Sequence, residues 1–289
     1  MFGRLASAGG RNIFLIAVVI FFGTPLLWLL LAPSKTRTSL ASQAPLSFGN
    51  FENIGDAWNH LFSYTGGIMG TWILNSVFYT VTSVAIALIA CVPAGYGLAK
   101  FRFRGRNVVL FLTLLTMVVP QAALILPLYL EMSSFGLTNT PWSVILPLSF
   151  YPFGVYLVYL FATTTIPDSI IEAARIDGAS EWRTMFSIFL PLARPAIVMV
   201  GFFAFVTSWN SFFLPYIMLT DPGLANLQTG LQLLVNNTGA LGGANFTKIP
   251  IQQPEVALAA LVSITPILLI FLFAQRFLVA GQTIGAEKG

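Results

Sequence analysis

The residues most capable of chemistry lie in one short segment between two long apolar stretches. Residues 168–194, here called the connector, carry seven charged side chains: Asp168, Glu172, Arg175, Asp177, Glu181, Arg183 and Arg194. A charged side chain at the centre of a bilayer costs about 2.5–3.5 kcal/mol, so the connector must lie in water or against protein. We therefore predict a polar bridge between two membrane helices that can contact a partner outside the membrane.

The start of the connector has the features of a short helix. Ser169-x-x-Glu172 fits a capping box and predicts a helix from Ser169 to Asp177. Gly178 suits the left-handed position that ends a helix. Ser180 is then expected to cap a second helix, which returns the chain to the membrane.

Local chemistry leaves two interpretations of this helix open. It could lie on the lipid surface with Glu172 paired to Arg175, three residues along the same helix. It could instead dock on a protein, because the small side chains of Ala173 and Ala174 allow a partner to approach the helix backbone closely. This short helix carries too many charged side chains to present a continuous apolar face to lipid, which favours docking on a protein partner.

The composition indicates an integral membrane protein. Of 289 residues, 56% are hydrophobic and only 8% are charged, with a mean hydropathy of +0.83. Soluble domains contain about 25% charged residues. Cys91 and His60 are single residues of their types, so we predict no disulfide and no metal site.

Six apolar stretches are long enough to cross a bilayer. We predict an all-α polytopic membrane protein with spans at residues 12–32, 72–99, 108–130, 141–161, 195–219 and 256–275. The third span is expected to be broken by Pro120 and Pro127. The apolar core of the first span exceeds the roughly 7–15 residues of a signal peptide, so we expect an uncleaved helix. Residues 1–71 form a predicted N-terminal helix and external loop, and residues 72–289 the main domain.

The basic residues are distributed unequally between the two sides of the membrane. Six spans place both termini, residues 100–107 and the connector on one side, which holds all the Lys and Arg residues except Lys35, Arg37 and Lys248. The positive-inside rule makes that side cytoplasmic. The net charge of +4 is thereby explained by topology, and binding to nucleic acid is not predicted.

The connector resembles the EAA loop of permease subunits in bacterial ATP-binding-cassette (ABC) importers. The matching positions are Glu172-Ala173-Ala174, Gly178, Ile188 and Leu190-Pro191. Three further stretches are similar to the sugar-uptake branch of that family: Leu74-Asn75-Ser76, Trp209 to Pro215, and Phe277 to Gly281. The resemblance covers nearly the whole chain and is greatest to the maltose-type second permease subunit.

This resemblance implies a type I ABC importer permease fold, with a coupling helix at about residues 168–178 between spans four and five. In that family the helix docks in a cleft of the ATPase subunit. Carried onto this chain, Glu172 would be the docking carboxylate, Ala173 and Ala174 the contact surface, and Asp177 and Gly178 the end of the helix.

The resemblance also implies the partners and the location. They are a second, related permease, two ATPase subunits, an extracytoplasmic solute-binding protein, a sugar and the lipid of the bacterial inner membrane. No Gly-x-x-x-x-Gly-Lys-Ser/Thr loop occurs in the sequence, so we expect ATP and Mg²⁺ to be used by the partner ATPase. The chain itself is expected to bind no cofactor and to be no enzyme.

The predicted spans contain no Asp, Glu, Lys, Arg or His, which disfavours proton-driven transport and a charged substrate. A neutral, hydroxyl-rich solute fits better. The polar and aromatic groups that could line its path are Asn75, Gln121, Trp209, Asn210 and Tyr216. Each of these residues could instead serve packing between helices.

Residues 220–255 form a predicted external loop that is longer than a plain connection needs. By resemblance it would reach into the solute-binding protein, with candidate contacts at Gly239, Ala240, Leu241, Gly242 and Gly243. An unstructured loop is the alternative. Two other functions also remain open: an importer of glycerol phosphate or another polar solute within the same family, and an energy-independent channel.

Overall fold

The computed structural model describes residues 2–238 and 251–286, and the side chains of residues 11–238 and 251–276. Within these ranges the regular structure is entirely helical, which confirms the predicted all-α class. The α-helices are α1 Phe2–Leu31, α2 Arg37–Ser42, α3 Phe51–Ser63, α4 Ile68–Lys100, α5 Arg106–Val118, α6 Gln121–Ser134, α7 Trp142–Ser149, α8 Pro152–Thr164, α9 Asp168–Ile176, α10 Glu181–Thr184, α11 Leu190–Leu192, α12 Arg194–Trp209, α13 Phe213–Met218, α14 Leu227–Asn237 and α15 Gln253–Ala286.

Four helical segments of the described chain are long and apolar enough to cross a membrane without a break. They are Arg11–Ser34, Ile68–Lys100, Trp142–Thr164 and Gln253–Arg276. Two bent helix pairs bring the number to six if each pair is one span: α5 with α6, and residues 181–192 with α12. The six predicted spans correspond in order to these segments.

The bends show which prolines interrupt the helices. Between α5 and α6 the chain turns by 106°, at Val119 and Pro120. Val119 is extended because a following proline disfavours the helical conformation. The expected break at Pro127 does not occur, since this proline lies inside α6. The predicted fifth span is also interrupted, because α12 ends at Trp209 and α13 begins at Phe213.

The chain divides into two compact units, and the first comprises residues 1–70 with 230–265. Residues 33–71 were expected to be a loop, but they contain α2 and α3. Lys35 is buried, and its Nζ donates hydrogen bonds to the carbonyls of Ala44 and Pro45 at 2.7 and 3.2 Å. The predicted loop 220–255 is likewise partly helical, since α14 lies within it.

The second unit comprises residues 71–229 with 266–289 and has two buried cores. The first, here called the connector core, is centred on Val92, Tyr96, Val158, Ile171, Met185, Phe189 and Val200. The second, here called the distal core, is centred on Tyr79, Met132, Val144, Ile145, Leu214 and Met218. Close packing of α4 on α8 supports the connector core, because a Cβ at Gly95 would lie 2.6 Å from the Val158 Cβ.

Candidate functional site

The connector begins with α9, which covers Asp168–Ile176. Pro167 occupies the N-cap position and provides no side-chain hydrogen bond, so the predicted capping box of Ser169 and Glu172 is wrong. Pro167 has a φ of −60°, which leads directly into the helix. Asp168 then lies in the first turn, where a negative charge is favourable to the helix dipole.

The end of α9 agrees with the predicted left-handed glycine. Gly178 has a φ of +79°, which an L-residue adopts only with strain. Its N–H donates to the Arg175 carbonyl at 3.1 Å, and the N–H of Ala179 donates to the Ala174 carbonyl at 3.0 Å. This pair of hydrogen bonds is the Schellman motif, which satisfies the last carbonyls of the helix.

The chain returns towards the membrane through a second helical stretch. The Ser180 hydroxyl accepts a hydrogen bond from the Arg183 N–H at 3.3 Å, which confirms the predicted cap. Met185–Phe189 is then a π-helical segment, and Met185 and Phe189 are buried in the connector core. The Thr184 hydroxyl, at the start of this segment, is buried and has no hydrogen-bond partner among the described residues. Segments of this kind frequently occur at functional sites.

A buried lysine holds the start of α9 against the end of α4. The Lys100 Nζ donates to the Ile166 carbonyl at 2.7 Å and to Asp168 Oδ1 at 2.6 Å. The Lys100 side chain is only 3% exposed, although Asp168 is 74% exposed. The hydrogen bond and charge of Lys100 lower the pKa of Asp168. The sequence interpretation missed this contact, because it assigned Lys100 only to the charge balance of a turn.

A second ion pair fixes the other end of α9. Arg175 Nε donates to Glu181 Oε1 at 2.7 Å, and the Tyr96 hydroxyl donates to Glu181 Oε2 at 3.4 Å. The hydrogen bond to Glu181 raises the pKa of Arg175. The pairing of Arg175 with Glu172 considered for a lipid-lying helix does not occur. As a result the Glu172 carboxylate makes no ion pair with any described residue.

The two faces of α9 differ sharply in burial. Ile171 and Ala174 are only 2% and 6% exposed, so this face of the helix packs against the interior of the chain itself. Glu172, Ala173 and Ile176 are exposed, and Ile176 is 86% exposed. Ala174, expected at the contact surface, therefore faces inward, whereas Ala173 and Ile176 are exposed. An apolar residue four positions after Glu172 was the signal that could have identified Ile176.

This arrangement can serve as a docking surface. Two ion pairs and the connector core fix the orientation of α9, while a free carboxylate and an apolar side chain face outward. Asp177 and Gly178, also expected to belong to the site, end the helix and are exposed. Rigid presentation reduces the entropy that a partner must overcome to bind.

The candidate path residues divide into two groups. Asn75 donates to the carbonyls of Gly223 and Ala225 at 2.8 and 3.0 Å, and Trp209 is buried and stacked on Phe205. Both contribute to packing, the alternative considered for every candidate. A second group is exposed and follows helix breaks: Gln121, Asn210 and Tyr216.

The structure does not test the other predicted contacts. Gly239, Ala240, Leu241, Gly242 and Gly243 lie outside the described residues. The described ranges hold no group of three or more His, Cys, Asp or Glu side chains that could bind a metal ion.

Comparison with known proteins agrees with this geometry. Residues 91–283 match the family described as binding-protein-dependent transport system inner membrane component. The arabinooligosaccharides transport system permease protein AraQ of Halalkalibacterium halodurans is 32% identical over 95% of this chain and 93% of its own. The diacetylchitobiose uptake system permease protein NgcG of Streptomyces coelicolor is 30% identical over 94% of this chain and 86% of its own.

A solved structure shows the same fold. A chain from the crystal structure of a bacterial ABC transporter involved in the import of the acidic polysaccharide alginate superimposes with a TM-score of 0.79. The match covers 95% of this chain and 96% of the other, at 22% identity. The structure thus shows the fold, and the family match and the two relatives establish that the chain belongs to the binding-protein-dependent transport system inner membrane components.

Proposed function

We propose that this chain is a permease subunit of an ATP-driven sugar importer and that α9 is its docking helix for a separate ATPase. Members of its family are transport subunits, and the chain is not itself an enzyme. A second permease completes the translocation path, two ATPase subunits hydrolyse MgATP, and a solute-binding protein delivers the sugar. The basic residues favour an orientation with α9 and both termini in the cytoplasm.

The observation that carries this proposal is the exposed face of α9. Glu172 forms no ion pair with a described residue, whereas Asp168 and Arg175 of the same helix are bound by Lys100 and Glu181. A basic side chain in the ATPase cleft would satisfy it, and an apolar recess would cover Ile176. Because the pair would be shielded within an interface, it would contribute more than an exposed surface pair.

Replacement of Glu172 by alanine tests the docking role. We expect uptake of the labelled sugar to fall by about tenfold or more, since removing one partner of a buried charge pair costs about 2–5 kcal/mol. The matched control is Glu131→Ala, which removes another exposed carboxylate far along the chain from α9. Uptake and the amount of ATPase that purifies with the tagged chain are both measured.

A Glu172→Ala protein with normal uptake and normal ATPase association would contradict the docking role. Equal losses in Glu172→Ala and Glu131→Ala would show a general effect of removing acidic residues. Absence of any ATPase from the purified wild-type protein would favour the channel considered above.

The sugar substrate is supported by the relatives and by the spans. Two relatives are named for the transport or uptake of oligosaccharides. The predicted spans lack Asp, Glu, Lys, Arg and His, so the path offers hydrogen-bonding and aromatic groups to a neutral solute. The preferred path candidates are Gln121, Asn210 and Tyr216. These residues are exposed and lie at or shortly after an interruption between two helices.

Uptake by cells that lack the gene identifies the substrate class. Labelled arabinooligosaccharides and diacetylchitobiose are compared with labelled glycerol phosphate. We expect the deletion to abolish uptake of a neutral oligosaccharide and to leave glycerol phosphate uptake intact. The opposite result would establish the polyol phosphate alternative.

A further inference from the structure

The connector core and the distal core lie at opposite ends of two interrupted chain segments, α7–α8 and α12–α13, and α5–α6 is a third interrupted segment. Between α7 and α8 the chain is extended at Phe150, and between α12 and α13 it is non-helical over residues 210–212. Between α5 and α6 it bends by 106°. In the two segments that supply buried residues to both cores, α7 and α13 contribute to the distal core and α8 and α12 to the connector core.

Helix α4 differs from these segments because it runs unbroken through both cores. It contributes Tyr79 to the distal core and Val92 and Tyr96 to the connector core. Its 33 residues span about 50 Å at the usual helical rise. Pro93 removes one internal hydrogen bond, but the helix is held there by the tight contact of Gly95 with Val158.

Both ends of α4 are hydrogen-bonded to the segments they adjoin. At its C-terminal end, Lys100 binds the chain at Ile166 and Asp168, where α9 begins. Near its N-terminal end, side chains on one face bind the backbone of residues 222–227. These bonds are Trp72 Nε1 to the Pro222 carbonyl at 2.9 Å, Asn75 Nδ2 to Gly223 at 2.8 Å, Tyr79 Oη to Leu224 at 2.8 Å, and Leu227 N to Ser76 Oγ at 2.7 Å.

We propose that α4 is the rigid element that transmits movement of α9 to residues 222–227 at the other end of the membrane unit. The inference rests on the proposed docking of α9 on an ATPase. When that docking moves α9, the interrupted segments can change their angles at their breaks. Helix α4 is continuous and has no such break at which its angle could change. It therefore carries the displacement to the backbone of residues 222–227, to which it is hydrogen-bonded. Lys100 is a positioning residue in this device.

Glycine substitutions in the middle of α4 test the proposal, because they make the helix more flexible there and leave the residues at both ends unchanged. Ile89 is 74% exposed and Ala90 is also exposed, so Ile89→Gly with Ala90→Gly makes the helix more flexible while sparing both cores. The matched control is Leu112→Gly with Leu115→Gly in α5, which are exposed and outside both cores. Both proteins are purified in lipid nanodiscs with the ATPase that accompanies the tagged chain.

The readout is a cysteine at the exposed Thr220, beside the held segment. Native Cys91 is 1% exposed, so it does not compete for a maleimide dye. The labelling rate is measured with and without MgATP and vanadate, which trap the closed ATPase. Where α4 is intact we expect trapping to change the rate by about fivefold or more, in the usual range of coupling between sites.

The glycine pair in α4 should abolish this change although nucleotide is still trapped, and the pair in α5 should preserve it. The proposal would be overturned if trapping still changed the labelling rate fully in the α4 variant. It would also be overturned if trapping did not change the labelling rate of Thr220→Cys in the protein with intact α4. Failure of the proposed function is distinguishable, because no ATPase and no trapped nucleotide would then accompany the chain.

Discussion

At the scale of single residues, two side chains that share one helix have opposite roles. Asp168 is bound by Lys100, which fixes the start of α9, whereas Glu172 is exposed and forms no ion pair within the part of the chain that the structure describes. The EAA pattern predicted Glu172 as the docking carboxylate from sequence alone. It could not identify Lys100 as the anchor, because the two contacting residues are separated by 68 positions and Lys100 looks like one of several basic residues in a turn.

Replacement of Lys100 should loosen α9. Lys100→Met removes the hydrogen bonds to Ile166 and Asp168 and leaves the Ile166 carbonyl without this partner, at a total cost of about 1–3 kcal/mol. We expect trypsin to cleave the purified protein after Arg175 several times faster than it cleaves the wild type. Lys100→Arg retains the donor and should restore most of the protection. Equal cleavage rates for wild type and Lys100→Met would show that Lys100 does not hold α9.

The Lys100–Asp168 pair has a defined pH dependence. The pKa of Asp168 is lowered in the folded protein, so its ionised form stabilises the fold above the unfolded pKa of about 3.9. That contribution is lost only as the pH falls through the still lower folded pKa. Asp168→Asn should therefore reduce thermal stability equally at pH 7 and pH 5.5, by no more than about 1 kcal/mol because the carboxylate is exposed. A difference that disappears between these two pH values would contradict this assignment.

At the scale of helices, the apolar pattern predicted where the chain crosses the membrane better than where it bends. Pro120 was recognised as a break, and it is one, because it occupies the N-cap position of α6. Pro127 has the same side chain but lies inside α6. The interruption after Trp209 has no proline at all, and it is stabilised by Asn226, whose amide donates to the Ser211 carbonyl at 2.7 Å. Such tertiary hydrogen bonds cannot be read from local sequence.

Two glycines in α4 provide a matched test of helix packing. A Cβ at Gly95 would lie 2.6 Å from Val158 Cβ and 2.8 Å from the Val155 carbonyl, whereas at Gly97 its closest neighbour would be Phe101 at 3.8 Å. Gly95→Ala should therefore destabilise the protein by about 1–3 kcal/mol through overpacking. Gly97→Ala should be neutral or stabilise the helix by about 0.5–1 kcal/mol.

Thermal unfolding of the two glycine variants in the same detergent distinguishes these effects. If both variants lose stability equally, glycine is needed in α4 for flexibility. The close approach of α4 to α8 would then not be the reason for Gly95.

At the scale of the whole molecule, the polar connector is the part of the chain that we propose responds to a separate ATPase. The polar connector is held on one membrane unit by the connector core, and only its outer face is left for a partner. Composition and residue spacing were sufficient to predict the all-α class, the membrane location and the position of this connector. The division of the path candidates into packing residues and exposed residues required the tertiary contacts of Asn75 and Trp209.

The most direct measurement is photocrosslinking in cells from position 176, with a benzophenone amino acid in place of Ile176. Mass spectrometry of the adduct should identify a protein with the nucleotide-binding loop that this chain lacks. The same probe at Phe21, which is 73% exposed on α1, is the control and should not crosslink to that protein. No adduct from position 176, or an adduct with a protein that lacks a nucleotide-binding loop, would contradict the assignment of α9 as the ATPase-docking helix.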